Sequence, residues 1–294
     1  MNTPIQKRYD FVYLFDCTDS NPNGDPDSAN APRFDPETFQ GLVTDVCLKR
    51  KIRDYVAVRK SGAAGYGIYI TAGQALEIAQ KAPYDFLKLT PKTKERKPIE
   101  EARDWMCENF FDVRTFGAVM STTDFNCGQV RGPVQLGFAR SIDRVFSTEH
   151  SITRQVQTTV KDFDSKGGMG TFGQKHTVAY GLYRAHGFIN AHFAAKTGFS
   201  QEDLDLLWKA LANMFDLDRS AARCGMAPRG LFVFEHATAL GEFPAHLLFD
   251  RIKIAKRDGV EIPRSIGDYV IDVDSKDLPN GVQLLQPFGA AVAA

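Results

Sequence analysis

Residues 8–16 read RYDFVYLFD, with Tyr9, Phe11, Tyr13 and Phe15 on one side of an alternation and Val12 and Leu14 on the other. A period of two with apolar side chains on both sides is the pattern of a strand covered on both faces, so this segment predicts a central strand. Residues 17–37, dense in Asn, Asp, Pro and Gly, read as loop. From 38 to 59 the period changes. Leu48, Ile52, Tyr55 and Val56 recur at three and four residues, the spacing of a buried helix face.

Working outward, residues 60–128 read as an insertion. It opens with Gly62, Gly65 and Gly67, predicts helices at 73–81 and 99–111, and carries the cationic run KLTPKTKERKP (88–98). Strand character returns over 130–147 and 177–195, separated by a polar stretch that ends in the glycine cluster 165–173. Residues 200–216 read as a helix: Ser200 and Asp203 form a capping pair, and Leu204, Leu207, Trp208, Leu211 and Phe215 form the stripe. Strands are expected at 230–236, 247–254 and 269–273. The order β–α–insertion–β–hairpin tip–β–α–β is that of the ferredoxin-like split βαβ unit, an α+β topology shared by RNA-recognition modules. Many functions use this topology, so function has to come from particular residues.

The chain has 294 residues, 43% hydrophobic and 24% charged, which excludes wholesale disorder. No apolar run approaches the roughly 18 residues of a membrane span, and Met1 to Arg8 has no apolar signal core. Five scattered cysteines (Cys17, Cys47, Cys107, Cys127, Cys224) form no CxxC. That argues against a disulfide framework or a thiolate zinc site and predicts a cytoplasmic protein. Net charge is zero but uneven. Residues 1–40 hold 3 basic and 7 acidic side chains, 41–199 hold 23 and 15, and 200–294 hold 10 and 14. A cationic middle between acidic ends permits a basic groove on a neutral molecule, or acidic surfaces meeting basic ones between copies.

Three stretches carry candidate chemistry. GMGTFG (168–173) is a literal GxGxxG, yet polar VKDFDSK precedes it and β-rich TVAYGLY follows, so it lacks the strand–turn–helix context of a dinucleotide site. Gln174 before Lys175 also excludes a P-loop. What remains is a glycine-rich hairpin tip, either a plain loop or one that approaches a ligand closely. DSNPNGDPDSAN (19–30) opens like a calcium loop, but its twelfth position is Asn30 and a strand precedes it. Its Asn, Asp and Gly serve turn chemistry or bind phosphate and ribose. In TDVCLKRKIRDYV (44–56), Lys49, Arg50 and Arg53 share a ridge beside the apolar stripe, either a solvated face or a track for phosphates. Enzymatic motifs are sparse. His186 and His192, read on one strand, lie too far apart to share a metal, and His176 is a candidate general base.

The segments 19–56, RTFGAVM (114–120), GPVQLGFARSID (132–143) and SITRQV (151–156) resemble the backbone subunit of CRISPR Cascade surveillance complexes, of the RAMP superfamily, most nearly the type I-C one. The resemblance covers roughly residues 8–275. It implies a modified ferredoxin-like palm at 1–59 and 129–294, a helical finger insertion at 60–128, and a long β-hairpin thumb at 156–176. It also implies a non-catalytic scaffold whose copies polymerise head to tail along a CRISPR RNA beside other Cascade subunits. Each thumb displaces one guide nucleotide at a regular interval, and the guide then pairs with target DNA. No cofactor and no metal are implied. Carried onto this sequence, Asn21, Asn23, Lys49, Arg50 and Arg53 would contact the RNA backbone. Phe116, Gln135 and Arg154 would lie along the same groove, and Lys166 and Met169 would sit at the displacing tip. The alternative is a metal-independent endoribonuclease of the same superfamily, with His176 as base.

Overall fold

A computed structural model describes residues 3–92, 94–154, 156–165 and 171–289. The first part of the chain forms β1 (Tyr9–Ser20), β2 (Gly24–Asp25), β3 (Ala31–Pro32), β4 (Gln40–Val43) and α1 (Asp45–Arg59). Next come α2 (Leu76–Leu87), α3 (Arg96–Asn109), α4 (Phe111–Phe116), β5 (Gly117–Val119) and β6 (Gln129–Arg131). Then follow β7 (Val134–Leu136), β8 (Ala139–Arg144), β9 (Ser147–Arg154), α5 (Val160–Ser165), β10 (Thr171–Ile189), α6 (Ala191–Thr197) and α7 (Gln201–Leu217). The chain closes with β11 (Met226–His236), α8 (Ala245–Phe249), β12 (Ile252–Lys256), β13 (Tyr269–Val273) and β14 (Val282–Gly289).

The main sheet runs β14-β11-β1-β10-β8-β4, antiparallel throughout, with β7 and β9 also pairing β10. β1 lies between β10 and β11, as its two-faced apolar pattern demands. Tyr9, Phe11, Tyr13 and Phe15 enter a core with Leu48, Ile52 and Val56 of α1 and Leu204, Leu207, Leu211 and Phe215 of α7. Val12 and Leu14 enter a second core on the opposite face, with Phe249 of α8 and Ile252 and Val273 of the β12–β13 ribbon. α7 starts as read from the sequence, with Ser200 and Asp203 forming a reciprocated capping box.

Several boundaries differ from the sequence reading, each for a local reason. β1 continues to Ser20 because Cys17, Thr18 and Ser20 still pair with β10. Residues 40–43 are a strand, since the helix begins only after the Thr44 cap. The expected strand at 130–147 is broken. Pro133 has no N–H for a ladder, and a Cβ at Gly132 would run into the backbone of Phe116 and Gly117. The strand expected to 195 stops at Ile189, where Asn190 caps α6, so His192 lies on a helix rather than beside His186. Residues 245–249 coil into α8 before β12 starts. β14 was not anticipated; an edge strand needs no strict alternation.

Two features extend from this sheet. Thr171 to Val178 of β10 pairs with β9 in a two-stranded arm, and all eight residues of β9 are exposed. From Val178 onward β10 pairs with β1. Between α1 and β6, Tyr69, Tyr84, Ala102, Met106, Cys107, Val113, Met120 and Cys127 form a separate small core. Among the described residues, no helix is long and apolar enough to cross a membrane. All five cysteines are free.

Candidate nucleic-acid interface

The loop before α1 sets where its basic face stands. Thr44 caps the helix by accepting from the Cys47 N–H at 3.3 Å. The backbone N and Oγ1 of Thr44 donate in turn to Asn23 Oδ1, at 2.9 and 3.0 Å. Asn21 is buried; its Nδ2 donates to the Asn30 carbonyl at 2.7 Å and its backbone N to the Ala222 carbonyl at 2.7 Å. The Asn21 Oδ1 is buried without a partner among the described residues. Gly24 packs directly against Asn30, leaving no room for a Cβ. Two asparagines singled out for ligand contact therefore lock the loop and anchor the helix.

On α1, every member of the cationic ridge has a carboxylate beside it. Lys49 pairs with Asp45 at 2.9 Å, Arg50 with Asp54 at 3.5 Å, and Arg53 Nε with Asp112 Oδ2 at 2.8 Å. The Arg50 side chain is 67% exposed, against 15% for Lys49 and 11% for Arg53. Arg50 is thus the cation of the ridge most open to a phosphate. Arg53 is pinned through Nε, while its terminal nitrogens make no hydrogen bond among the described residues. Its guanidinium lies 5.3 Å from the Phe116 ring centroid, and Lys49 Nζ lies 5.7 Å from the same ring. Lys49, Arg53 and Phe116 are therefore one cluster, held together by cation–π attraction and by Asp112. Asp112 also accepts from the backbone N–H groups of Tyr69 at 2.8 Å and Ile70 at 3.0 Å.

The remaining candidates stand elsewhere. Gln135 is exposed on β7, pointing away from the core that Val134 and Leu136 join; its Nε2 donates to the Gly132 carbonyl at 3.0 Å. Arg154 lies at the outer end of the arm, paired in register with Thr171 and donating to Thr158 Oγ1 at 2.9 Å. Lys166 and Met169 lie outside the described residues. His176 sits within the arm opposite Glu149, and its Nε2 is buried without a partner among the described residues. No group of three metal-ligating side chains occurs among the described residues.

Sequence reasoning missed the ion pairs that tie this region together. Lys51, on the same helix, is buried against Asp218, which also takes Arg223 Nε at 2.8 Å. Arg114 makes a bidentate pair with Asp203 at 3.0 and 2.7 Å and lies 5.0 Å from the Tyr66 ring. Burial, aided by a hydrogen bond to Glu202, raises the Tyr66 phenol well above its ordinary range. Burial likewise raises the Cys47 thiol beside the ridge, which disfavours its thiolate form. Arg114 had a signal available, since it lies in the RTFGAVM segment, but nothing local names its partner 89 residues away.

The arrangement offers an exposed cation beside a cation cluster over a buried aromatic ring, and few groups placed to read base edges, which suits contact with phosphates rather than with particular bases. Comparisons with known proteins point to one family. Residues 7–274 match the family described as CRISPR-associated protein Cas7. A CRISPR-associated protein Cas7 of Haloferax volcanii is 27% identical over 289 residues, covering 90% of this chain and 80% of that protein. Among solved structures, a chain of a CRISPR RNA-guided surveillance complex in a pre-nicking state aligns with TM-score 0.48 and 16% identity, over 77% of this chain and 78% of its own. A chain of a type III-B Cmr-beta complex bound to cognate target RNA aligns with TM-score 0.40 and 11% identity, over 77% and 61%. The family match runs from the first residues of the central strand region through the β12–β13 ribbon and takes in the basic helix and its locked loop, so this chain belongs to the CRISPR-associated protein Cas7 family.

Proposed function

We propose that this chain is a non-catalytic scaffold that binds CRISPR RNA, polymerises head to tail along it as the backbone of a type I-C Cascade, and presents the guide to target DNA. The strand order β11-β1-β10-β8 supports a ferredoxin-like palm, the separate core between α1 and β6 supports a finger unit, and the exposed β9–β10 arm supports a thumb. The observation that carries the reading is the cluster of Lys49 and Arg53 over Phe116, with Arg50 exposed beside it, on a helix whose start is fixed by Asn23. Lys49, Arg50 and the free edge of Arg53 hold phosphates. Gln135 and Arg154 continue the groove, and Lys166 and Met169 act at the displacing tip.

A salt titration of guide binding tests this. The variant Lys49→Ala/Arg50→Ala should weaken binding to two RNAs of unrelated spacer sequence by the same factor. It should also flatten the dependence of log K on log salt by about 0.7 for each phosphate no longer neutralised. Unchanged affinity and slope would remove the ridge from the interface. The same RNA should be recovered intact in EDTA, and specific product that disappears in His176→Ala would replace the scaffold with a nuclease.

A further inference from the structure

The other face of the sheet carries a second concave surface. A cleft of about 570 Å³ opens where the β8–β9 corner, the middle of β10 and the β12–β13 ribbon with its connecting loop meet. Tyr180 and Leu182 of β10 floor it and belong to a small core with Tyr269, away from the core shared with α1 and α7. The cleft therefore lies across the sheet from Lys49, Arg53 and Phe116, and a strand held along α1 does not fill it.

Two guanidiniums on its wall stand open, against one exposed carboxylate, Glu261. Asp143 is engaged by the Tyr269 hydroxyl at 2.8 Å and by Lys256 at 3.5 Å. Arg144 and Arg264 are both exposed and have no carboxylate, ring or hydrogen-bonding partner for their side chains among the described residues. Glu261 is the other acid on the wall. Two residues from Arg144, Phe146 stands 75% exposed at the rim. An exposed ring beside two guanidiniums that have no partner among the described residues has the chemistry of a stacking platform next to phosphate contacts. The volume suits a nucleotide-sized unit, and the wall presents no set of donors and acceptors built to read a base edge.

We propose that this cleft is a second strand-binding site, taking an unpaired stretch of nucleic acid that is not the guide. Arg144 and Arg264 hold adjacent phosphates and Phe146 stacks a base. The site does not rest on the guide-binding reading, because it is built from different elements on a different face.

The test uses the full chain, free and loaded with guide RNA, titrated with fluorescein-labelled 20-mers of thymidine or uridine that cannot pair with the guide. Both forms should bind the probe. Arg144→Ala/Arg264→Ala should weaken it about tenfold and flatten the salt slope by about 1.4, with guide uptake and melting temperature unchanged. Phe146→Ala should weaken it about fivefold with no change in slope. Thymidine bound in preference to uridine assigns the site to DNA, and the reverse assigns it to RNA. Equal affinity of the double variant and the parent overturns the proposal. So does loss of probe binding only in Lys49→Ala/Arg50→Ala. A double variant that changes particle size but not probe affinity makes the cleft an interface between copies and overturns it as well. A chain that takes up no guide fails the scaffold reading while leaving the free-chain titration decisive for the cleft.

Discussion

Asp112 shows how one carboxylate can matter more than the cations it serves. It is 1% exposed and answers three donors from two other segments, Arg53 and the N–H groups of Tyr69 and Ile70. Removing it strands a nearly buried guanidinium and two backbone donors. Asp112→Ala should therefore cost about 3 kcal/mol in urea unfolding. Arg50→Ala, at an exposed i,i+4 pair, should stay within about 0.5 kcal/mol while weakening RNA binding. The ordering is the check: a variant series in which Arg50 carries stability and Asp112 does not would invert the assignment. The ridge itself was legible from the spacing of Lys49, Arg50 and Arg53. That Arg53 is held by a residue 59 positions away was not, because no local pattern encodes a long-range partner.

At the scale of elements, β10 performs two tasks in one continuous strand. Its second half is sheet interior, paired with β1, while Thr171 to Val178 pairs with the fully exposed β9. The arm contributes little apolar burial, so the sheet does not need it. Joining Ser151 to Gln174, which face each other in register, through Asn-Gly should leave the melting temperature within about 2 °C. The shortened chain should no longer form a large RNA-containing particle in size-exclusion. Retained assembly would separate the arm from the scaffold role. The sequence reading put the hairpin tip at the glycine cluster 168–173 and the thumb at 156–176, whereas the paired strands are 147–154 and 171–178, residues 160–165 coil into α5, and residues 166–170 lie outside the described residues. It did not announce where sheet becomes arm, since that point is set by the end of β1 rather than by anything within β10.

Across the whole molecule, the sheet core and the small core meet at α4: Phe111 and Phe116 join the first, and Val113 joins the second. Met106 is fully buried in the small core. Met106→Ala should cost about 2–5 kcal/mol, read as faster hydrogen exchange across residues 69–127 with β1 and β10 still protected. Exchange that accelerates equally in β1 would show one cooperative unit. Periodicity and capping are local, and by itself the sequence determined what they govern: β1 as a strand covered on both faces, α1 and α7 as helices with named buried stripes, Ser200 with Asp203 as a cap. Only the tertiary structure decided which charges stay free. Arg53 finds Asp112, Arg114 finds Asp203 and Lys51 finds Asp218, while Arg144 and Arg264 are left open across the sheet. A side chain's charge is written in the chain, but whether it is neutralised depends on which distant segment the fold lays beside it.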